Sequence, residues 1–486
     1  MLTPLKQTTS AVWMSIALTA TVVLLETGCT VGPDYHAPKV SVPPQWTAPL
    51  SGGETNSHAD LAEWWKSFGD EELDSFIATA IASNLTLQVA KARIREARAQ
   101  RGIVSGKLWP SVGSSGSYSR NRWPDNTFPP LPPDTPNNFN LYNTDFDASW
   151  EIDVFGGTRR AVEAASADIG AAELGERDVL VSLLAEVARN YINARAYQKR
   201  LAITRQNIEV QEKILNLTSN RFESELSGEL DVQQATAVLS DTEAAVPSLE
   251  TGYQESINRL AVLLGQAPGT LEEKMATEKP IPITPPLVPA GLPSDLLKRR
   301  PDVQKAERQL AAATARIGAA KADYLPKFFL TGVAGMQSVS ASDWFNYGSR
   351  YWTIGPTVEW QLFEAGRIRA NVEVQNARQE EAWNTYQQTV LTALEDTENA
   401  LTAYAKEQIR RRSLSRSVNA NEKALKLSSQ RYESGLTDFL RVLDSERSLY
   451  AAQDAQVKSD QTVSLNLVQL YKALGGGWKI ESQKAF

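Results

Sequence analysis

The stretch Arg431-Tyr432-Glu433-Ser434-Gly435-Leu436-Thr437-Asp438-Phe439-Leu440-Arg441-Val442-Leu443-Asp444 has an echo earlier in the chain. It is Arg221-Phe222-Glu223-Ser224-Glu225-Leu226-Ser227-Gly228-Glu229-Leu230-Asp231-Val232, aligned without a gap at an offset of 210 residues (431 − 221). The same offset pairs Leu260 with Leu470, Leu264 with Leu474, Gly265 with Gly475 and Trp150 with Trp360. Trp109-Pro110 matches Leu325-Pro326 at 216. Self-similarity on this scale means two copies of one structural unit, and it constrains the fold before any residue is considered singly. Each copy reads helix, strand, loop, strand, long helix, turn, long helix.

Composition removes several functions. A net charge of −7 over 486 residues lacks the basic footprint of a nucleic-acid partner. Both histidines (His36, His58) and the one cysteine (Cys29) lie outside the repeats, so the repeated body offers no His/Cys metal cluster, thiol nucleophile or His-based triad. No phosphate-binding loop or nucleophile elbow is present either. Nothing singles out a carboxylate pair for catalysis, and no enzyme, cofactor or metal is expected.

Residues 1–28 read as an export signal: Lys6 in a short polar start, then an apolar run from Ala11 to Leu25 that is too short to span a membrane. The run ends Leu25-Glu26-Thr27-Gly28-Cys29, small residues before a cysteine in the manner of a bacterial lipobox. Lipidation of Cys29 is the preferred reading, since it is the one cysteine and lies at the right place; a plain signal peptide with an incidental cysteine is the alternative, which Glu26 in place of the usual Leu supports. Residues 29–69 form an extended, proline-punctuated segment with the anchor at its head. A helix is expected over about 70–106, with Leu73, Ile77, Ala80, Ile81 and Leu85 on its buried face.

At Tyr142 the hydrophobic period changes from 3.6 to 2. Tyr142, Thr144, Phe146, Ala148, Trp150 and Ile152 fall on one face, with Asn143, Asp145, Asp147, Ser149, Glu151 and Asp153 on the other. This predicts a strand over about 142–153, oily on one side and acidic on the other, paired with a Ser/Gly-rich strand over 111–120. The second copy repeats the pair over about 327–337 and 351–363, with Trp352, Ile354, Pro356, Val358, Trp360 and Leu362 alternating. Strands of about ten residues with aromatics near their ends suit a transmembrane β-barrel. A soluble sheet with one covered face is the alternative. Four strands cannot close a barrel, and an open edge is forbidden in lipid, so a membrane reading requires several copies. The pore-lining acids are then Asp145, Asp147, Glu151 and Asp153.

Long polar helices are expected over about 158–220 and 367–430, roughly 90 Å each at the α-helical rise. Return helices are expected over about 228–265 and 436–475, the first kinked at Pro247. Their narrow apolar seams suit lateral coiled-coil packing.

Leu292-Pro293-Ser294-Asp295-Leu296-Leu297-Lys298-Arg299-Arg300-Pro301-Asp302-Val303, followed by Ala306-Glu307 and Leu310, resembles the outer-membrane efflux protein family (TolC-like), in its lipoprotein branch of OprM and NodT-like proteins. The Cys29-Thr-Val-Gly-Pro-Asp-Tyr start, the glycine turns after the strands and Arg431-Tyr432-x-x-Gly435 match as well, so the resemblance covers nearly the whole mature chain. It implies a mainly α fold with a membrane β-barrel: a homotrimer whose 12-stranded barrel continues into a 12-helix periplasmic α-barrel. The domains are then 70–290 for the first duct repeat, 291–478 for the second and 479–486 for a tail. It further implies an outer-membrane location and passive exit of drugs or toxic compounds. Partners would be a periplasmic adaptor and an inner-membrane transporter of the resistance-nodulation-division type. Type I protein secretion, or a periplasmic coiled-coil scaffold lipoprotein, are the alternatives.

Carried over residue by residue, the resemblance places Leu440 and Asp444 at the periplasmic aperture, with Tyr432, Asp231 and Arg441 in the network around it. Tip turns for adaptor docking are Arg221, Phe222, Gly228, Arg431 and Gly435. Glu225 stands where the second copy has Gly435, which implies tip turns of different shape.

Overall fold

The computed structural model describes residues 30–48, 54–55, 61–124, 126, 136–282, 288–289 and 291–479. In chain order the main elements are α1 (Glu71–Ser83), α2 (Leu85–Gly106), β1 (Ser111–Arg122), β2 (Asn138–Ile152), α3 (Gly157–Glu223) and α4 (Glu229–Leu263). The second copy supplies α5 (Pro293–Arg299), α6 (Pro301–Ala322), β3 (Lys327–Ser338), β4 (Arg350–Glu359), α7 (Arg367–Glu433) and α8 (Phe439–Ala473). The 210-residue offset holds at both ends of α3 and α7 (367 − 157; 433 − 223) and of α4 and α8 (439 − 229; 473 − 263). Upstream, α2 and α6 share the offset of 216 (301 − 85; 322 − 106).

The chain divides into two compact units, each drawing on both repeats. One comprises Met1–Pro38, Ile94–Ala171 and Ala306–Tyr386. It contains a four-stranded antiparallel sheet in the order β1-β2-β3-β4. The two hairpins are joined by β2 and β3, Tyr142 pairing with Ser338 and Ile152 with Phe328. Beside the sheet, the N-terminal stretch is clasped to the helix ends. Gly32 lies so close to Gly318 that an added Cβ would sit 2.3 Å from its Cα. Arg160 holds Val31 O at 3.2 Å and Asp34 at 2.5 Å.

The other unit comprises Lys39–Arg93, Ala172–Lys305 and Gln387–Phe486. Its core buries Leu73, Phe76, Ile77, Leu184, Ile192, Leu260 and Leu470 completely or nearly so. Fully buried Arg195 is neutralised by Glu72 at 2.7 Å and also donates to Gln198 and the Thr277 carbonyl. A buried charge without such partners would cost several kcal/mol.

Two expectations need correction here. The helix expected over 70–106 is two helices, because Asn84 leaves the helical region at ψ 125 and spends its side chain on its neighbours. The break resets the phase: Leu73, Ile77 and Ala80 are buried, but Ile81 is only half-buried and Leu85 is 70% exposed. The last strand stops at Glu359, leaving Trp360 and Leu362 beyond it. Pro247 lies inside α4, as expected of the proline in the first return helix.

Candidate functional site: a two-faced sheet and a helical tip

Strand register decides which side chains share a face. Val112, Tyr118, Tyr142, Phe146, Trp150, Leu330, Trp352, Ile354 and Val358 fall on one side of the sheet. All but half-buried Tyr142 are exposed in the chain, Trp352 by 75%, Val112 by 70% and Ile354 by 65%. An exposed apolar surface of this extent marks a membrane or an interaction surface. Aromatics bracket it. At one end Tyr118, Tyr142, Trp344 and Phe345 form a chain of ring contacts 4.9–5.3 Å apart. At the other, Trp150 donates to Leu108 O at 2.9 Å and Trp360 to Tyr324 O at 3.1 Å, the same bond in both copies. Amphipathic rings with satisfied N–H groups at both rims suit the two interfaces of a bilayer.

The opposite face is mainly polar. Asp145 accepts from Ser115 Oγ at 2.8 Å, Asn143 Nδ2 at 2.5 Å and Tyr351 Oη at 3.0 Å. Asp147 lies over Gly113, where a Cβ would meet its Oδ1 at 2.6 Å. Glu151 pairs with Phe329 in the ladder.

The second feature is the pair of turns joining α3 to α4 and α7 to α8. The hairpins share one hydrogen-bond pattern: Glu225 N to Phe222 O and Leu226 N to Arg221 O in the first, Gly435 N to Tyr432 O and Leu436 N to Arg431 O in the second. This is the double bond set of a Schellman C-cap, which needs a left-handed residue at its corner. Gly435 supplies it at φ 70 and Glu225 at φ 59. Behind the turns, Tyr432 and Phe439 meet Val442, Leu443, Ala235 and Val238 in a buried cluster, with Ile214, Leu215 and Leu425 against it.

The model of the family described as "Outer membrane efflux protein" matches residues 76–266 and 292–476. The chain belongs to the outer membrane efflux protein family. Among curated relatives, the pyoverdine export outer membrane protein OpmQ of Pseudomonas aeruginosa is 33% identical over 91% of this chain and 93% of its own length. Nodulation protein T of Rhizobium leguminosarum bv. viciae is 31% identical over 96% and 94%. Among solved structures, the outer-membrane channel OprN superposes with a TM-score of 0.86 at 35% identity, covering 93% of this chain and all of that one. As an outer membrane efflux protein, the chain has its place in the outer membrane. Among the described residues no helix is long and apolar enough to cross a membrane.

Within this family fold the expected site residues separate into groups. Leu440, Arg441 and Asp444 lie on the exposed side of α8, away from the buried cluster, and Leu440 is 50% exposed. Leu440 and Asp444, four residues apart, share that face. No hydrogen bond joins Tyr432, Asp231 and Arg441; burial pushes the Tyr432 phenol up, and Asp231 adds to the shift through its charge. The ring instead carries the Arg221 guanidinium 4.7 Å from its centroid, so Arg221 and Tyr432 tie one hairpin to the other. Sequence reading put Arg221 among the tip residues but had no means of pairing it across hairpins. Phe222 and Arg431 are exposed beside the turns, and Gly228 precedes α4.

Two expectations change. The tip turns have the same shape, not different ones, because Glu225 accepts the left-handed conformation that Gly435 adopts freely. Asp153 is not in a strand: it lies past the end of β2 and accepts from Thr158 N at 3.2 Å and Arg159 N at 2.8 Å, capping α3. A carboxylate at a helix N-terminus satisfies orphan N–H groups and the positive end of the dipole. The lipobox cysteine, Cys29, lies outside the described residues.

Proposed function

We propose that three copies of this chain form an outer-membrane exit duct for small toxic compounds, in a tripartite efflux pump. The observation that carries this is the exposed apolar sheet face with an aromatic rim at each end and open outer edges on β1 and β4. Such an edge in lipid leaves backbone polar groups unpaired, so a four-stranded sheet must pair with other copies, and three give twelve strands. Helices α3, α4, α7 and α8 continue the duct as a twelve-helix periplasmic tunnel. A periplasmic adaptor docks at the tip turns, and an inner-membrane transporter supplies the energy. Relatives named for antibiotic, toluene and solvent efflux support small molecules as cargo. The duct conducts passively and catalyses nothing.

Residues 70–290 and 291–478 act as the two duct repeats, and residues 1–28 as an export signal. Cys29 carries a lipid; the next residue, Thr30, packs on Gly156 just past the end of β2, which supports an anchor on that side of the sheet. Asp145, Asp147 and Glu151 line the pore, and Leu440 with Asp444 forms the aperture.

The test is a purified full-length protein in planar bilayers together with a deletion strain. A heat-modifiable trimer with discrete conductance, and hypersensitivity to toxic compounds on deletion, are expected. A water-soluble monomer without conductance would overturn the duct. Metabolic lipid labelling that fails on the wild type, as it should on Cys29→Ser, would overturn the anchor.

A further inference from the structure

Helices α3 and α8 face one another along a polar seam. Asn193 accepts from Gln461 at 2.8 Å, Arg200 holds Asp454 at 2.7 Å, Thr204 meets Tyr450 at 3.2 Å and Asn207 donates to Gln453 at 3.4 Å. Each of these rungs sets a donor against an acceptor. The last rung before the tip cluster is poorer. Glu446 is 1% exposed and both its carboxyl oxygens lack a hydrogen-bond partner. Gln211, 3% exposed on α3, faces it: the amide N–H side opposes the rise of the carboxyl's pKa, while Gln211 Oε1 has no donor. A buried carboxylate faced by a neutral amide is costly to ionise, and a proton on it can be donated to the unpaired Gln211 oxygen.

We propose that Glu446 is a proton-operated latch: protonated, it closes the α3–α8 seam beside the tip cluster, and ionised, it drives the two helices apart and opens the aperture. This rests on the duct reading for its consequence, but not for the movement itself. Val442 and Leu443, one turn away on the same helix, belong to the tip cluster, so parting the seam here loosens the packing behind Leu440 and Asp444.

Burial raises the Glu446 carboxyl to about 7, against the Gln211 amide and, more weakly, the Arg447 charge on its own helix. Gln211 from α3 is uncharged, and neither α4 nor α7 sets a charged group against it. The direction follows by linkage. A parted seam hydrates the carboxyl and returns it toward its ordinary value of 4.5. The closed state then binds the proton more tightly, is fully favoured below that value, and loses its advantage as pH rises to about 7. The shift in the open-to-closed ratio over that window is on the order of a hundred-fold.

The experiment uses the full-length protein with spin labels at Lys213 on α3 and Ser448 on α8, both exposed, in a Cys29→Ser background. The inter-label distance distribution is expected to lengthen between pH 5 and pH 7.5 and to stay short at all pH values in Glu446→Gln. Single-channel open probability of the unlabelled protein should rise over the same range, and Glu446→Gln should abolish the rise. Glu422→Gln, which neutralises an exposed acid on α7, should leave both pH profiles in place. Gln211→Leu serves where Glu446→Gln fails to assemble; removing the facing amide should move the pH profile upward. A distance distribution independent of pH in the assembled wild type would overturn the latch whatever the conductance does. Absence of conductance with a pH-dependent distance would instead count against the duct.

Discussion

Asn84 and Arg300, 216 residues apart (300 − 84), perform one task in the two halves of the chain: each interrupts a helix pair and caps the C-terminus of a return helix. Asn84 Nδ2 donates to Leu263 O at 2.8 Å while its Oδ1 accepts from Leu87 N. Arg300 donates to Ala473 O at 3.2 Å and is held by Asp302 and Asp396. Alongside, Gly265 and Gly475 end α4 and α8 so tightly that a Cβ would lie 2.6 Å from Ser83 O in one case and 2.9 Å from Arg299 O in the other. The last carbonyls of a helix need partners, and both halves bring them from the preceding break.

Replacement of Asn84 by Ala should therefore cost about 1–3 kcal/mol, the penalty for leaving buried backbone groups unsatisfied. Arg300→Ala should cost more, because it loses the contacts to Asp302 and Asp396 as well as the carbonyl cap, although both carboxylates stay partly hydrated. Thermal denaturation of the assembled protein reads both; equal midpoints for the two variants would contradict the ranking.

The tip turns give a prediction of opposite signs. Glu225 holds φ 59 where Gly435 holds φ 70, both in open surroundings for a side chain at Gly435. A non-glycine residue there costs about 1–2 kcal/mol. Glu225→Gly should raise stability and Gly435→Glu lower it by similar amounts, with the hairpins unchanged in shape. The check is the difference in thermal midpoint between the two variants, and two destabilised variants would show that Glu225 has a contact worth more than its strain.

Much of this molecule is legible before folding. The two-residue alternation from Tyr142 to Ile152 identifies the oily face of the sheet, and a single 210-residue offset locates all four long helices. What stays hidden depends on partners distant in sequence. Asp153 continues the alternation perfectly, yet α3 begins four residues later and claims it as a cap. Leu85 continues the apolar spacing of α1, but a cap on a helix 179 residues away turns the chain at Asn84. Glu446 reads as one more solvated acid in a polar helix until α3 covers it. In the first repeat the same position is Thr236, which is exposed, so the repeat gives no warning.

Lipid exposure of the oily face is tested by charge. Ile354→Arg places a guanidinium among Trp352, Ala334 and Gly332 on the exposed apolar side. Arginine near the midplane of a barrel costs about 2–4 kcal/mol, less toward the interfaces. Membrane-integrated, heat-modifiable trimer should fall sharply in Ile354→Arg, while Thr353→Arg on the polar face should be tolerated. Equal yields would mean that the apolar face is not against lipid.

With Asp153 withdrawn to its helix cap, Asp145, Asp147 and Glu151 remain of the expected acids on the polar face, and Glu359 at the end of β4 shares that face opposite Lys327. Rings of carboxylates favour cations. A salt gradient across a planar bilayer should give a reversal potential of modest cation preference, reduced in Asp147→Asn; anion preference would reverse the assignment of the faces.

Leu440 and Asp444 lie on the exposed side of α8, and in the proposed trimeric aperture they would stack as one apolar and one acidic ring. Carboxylates roughly 7 Å apart repel by only about 0.6 kcal/mol per pair in water, and salt weakens this further. Repulsion cannot hold such a ring open. The closed tip must rest on what lies behind it: the cluster of Tyr432, Phe439, Val442 and Leu443, and the Arg221 guanidinium against the Tyr432 ring. An adaptor opens the tip only by binding the parted helices more tightly than the closed ones. Two kinds of substitution should consequently differ. Leu440→Ala with Asp444→Ala widens the constriction itself and should raise single-channel conductance without changing how often the channel opens. Arg221→Ala removes a tie between hairpins, worth about 0.5–2 kcal/mol. It should raise open probability by a few-fold to about thirty-fold at unchanged conductance. Planar-bilayer recording of both separates the lining of the gate from its latch. Unchanged conductance in the double variant at normal trimer yield would place the constriction elsewhere.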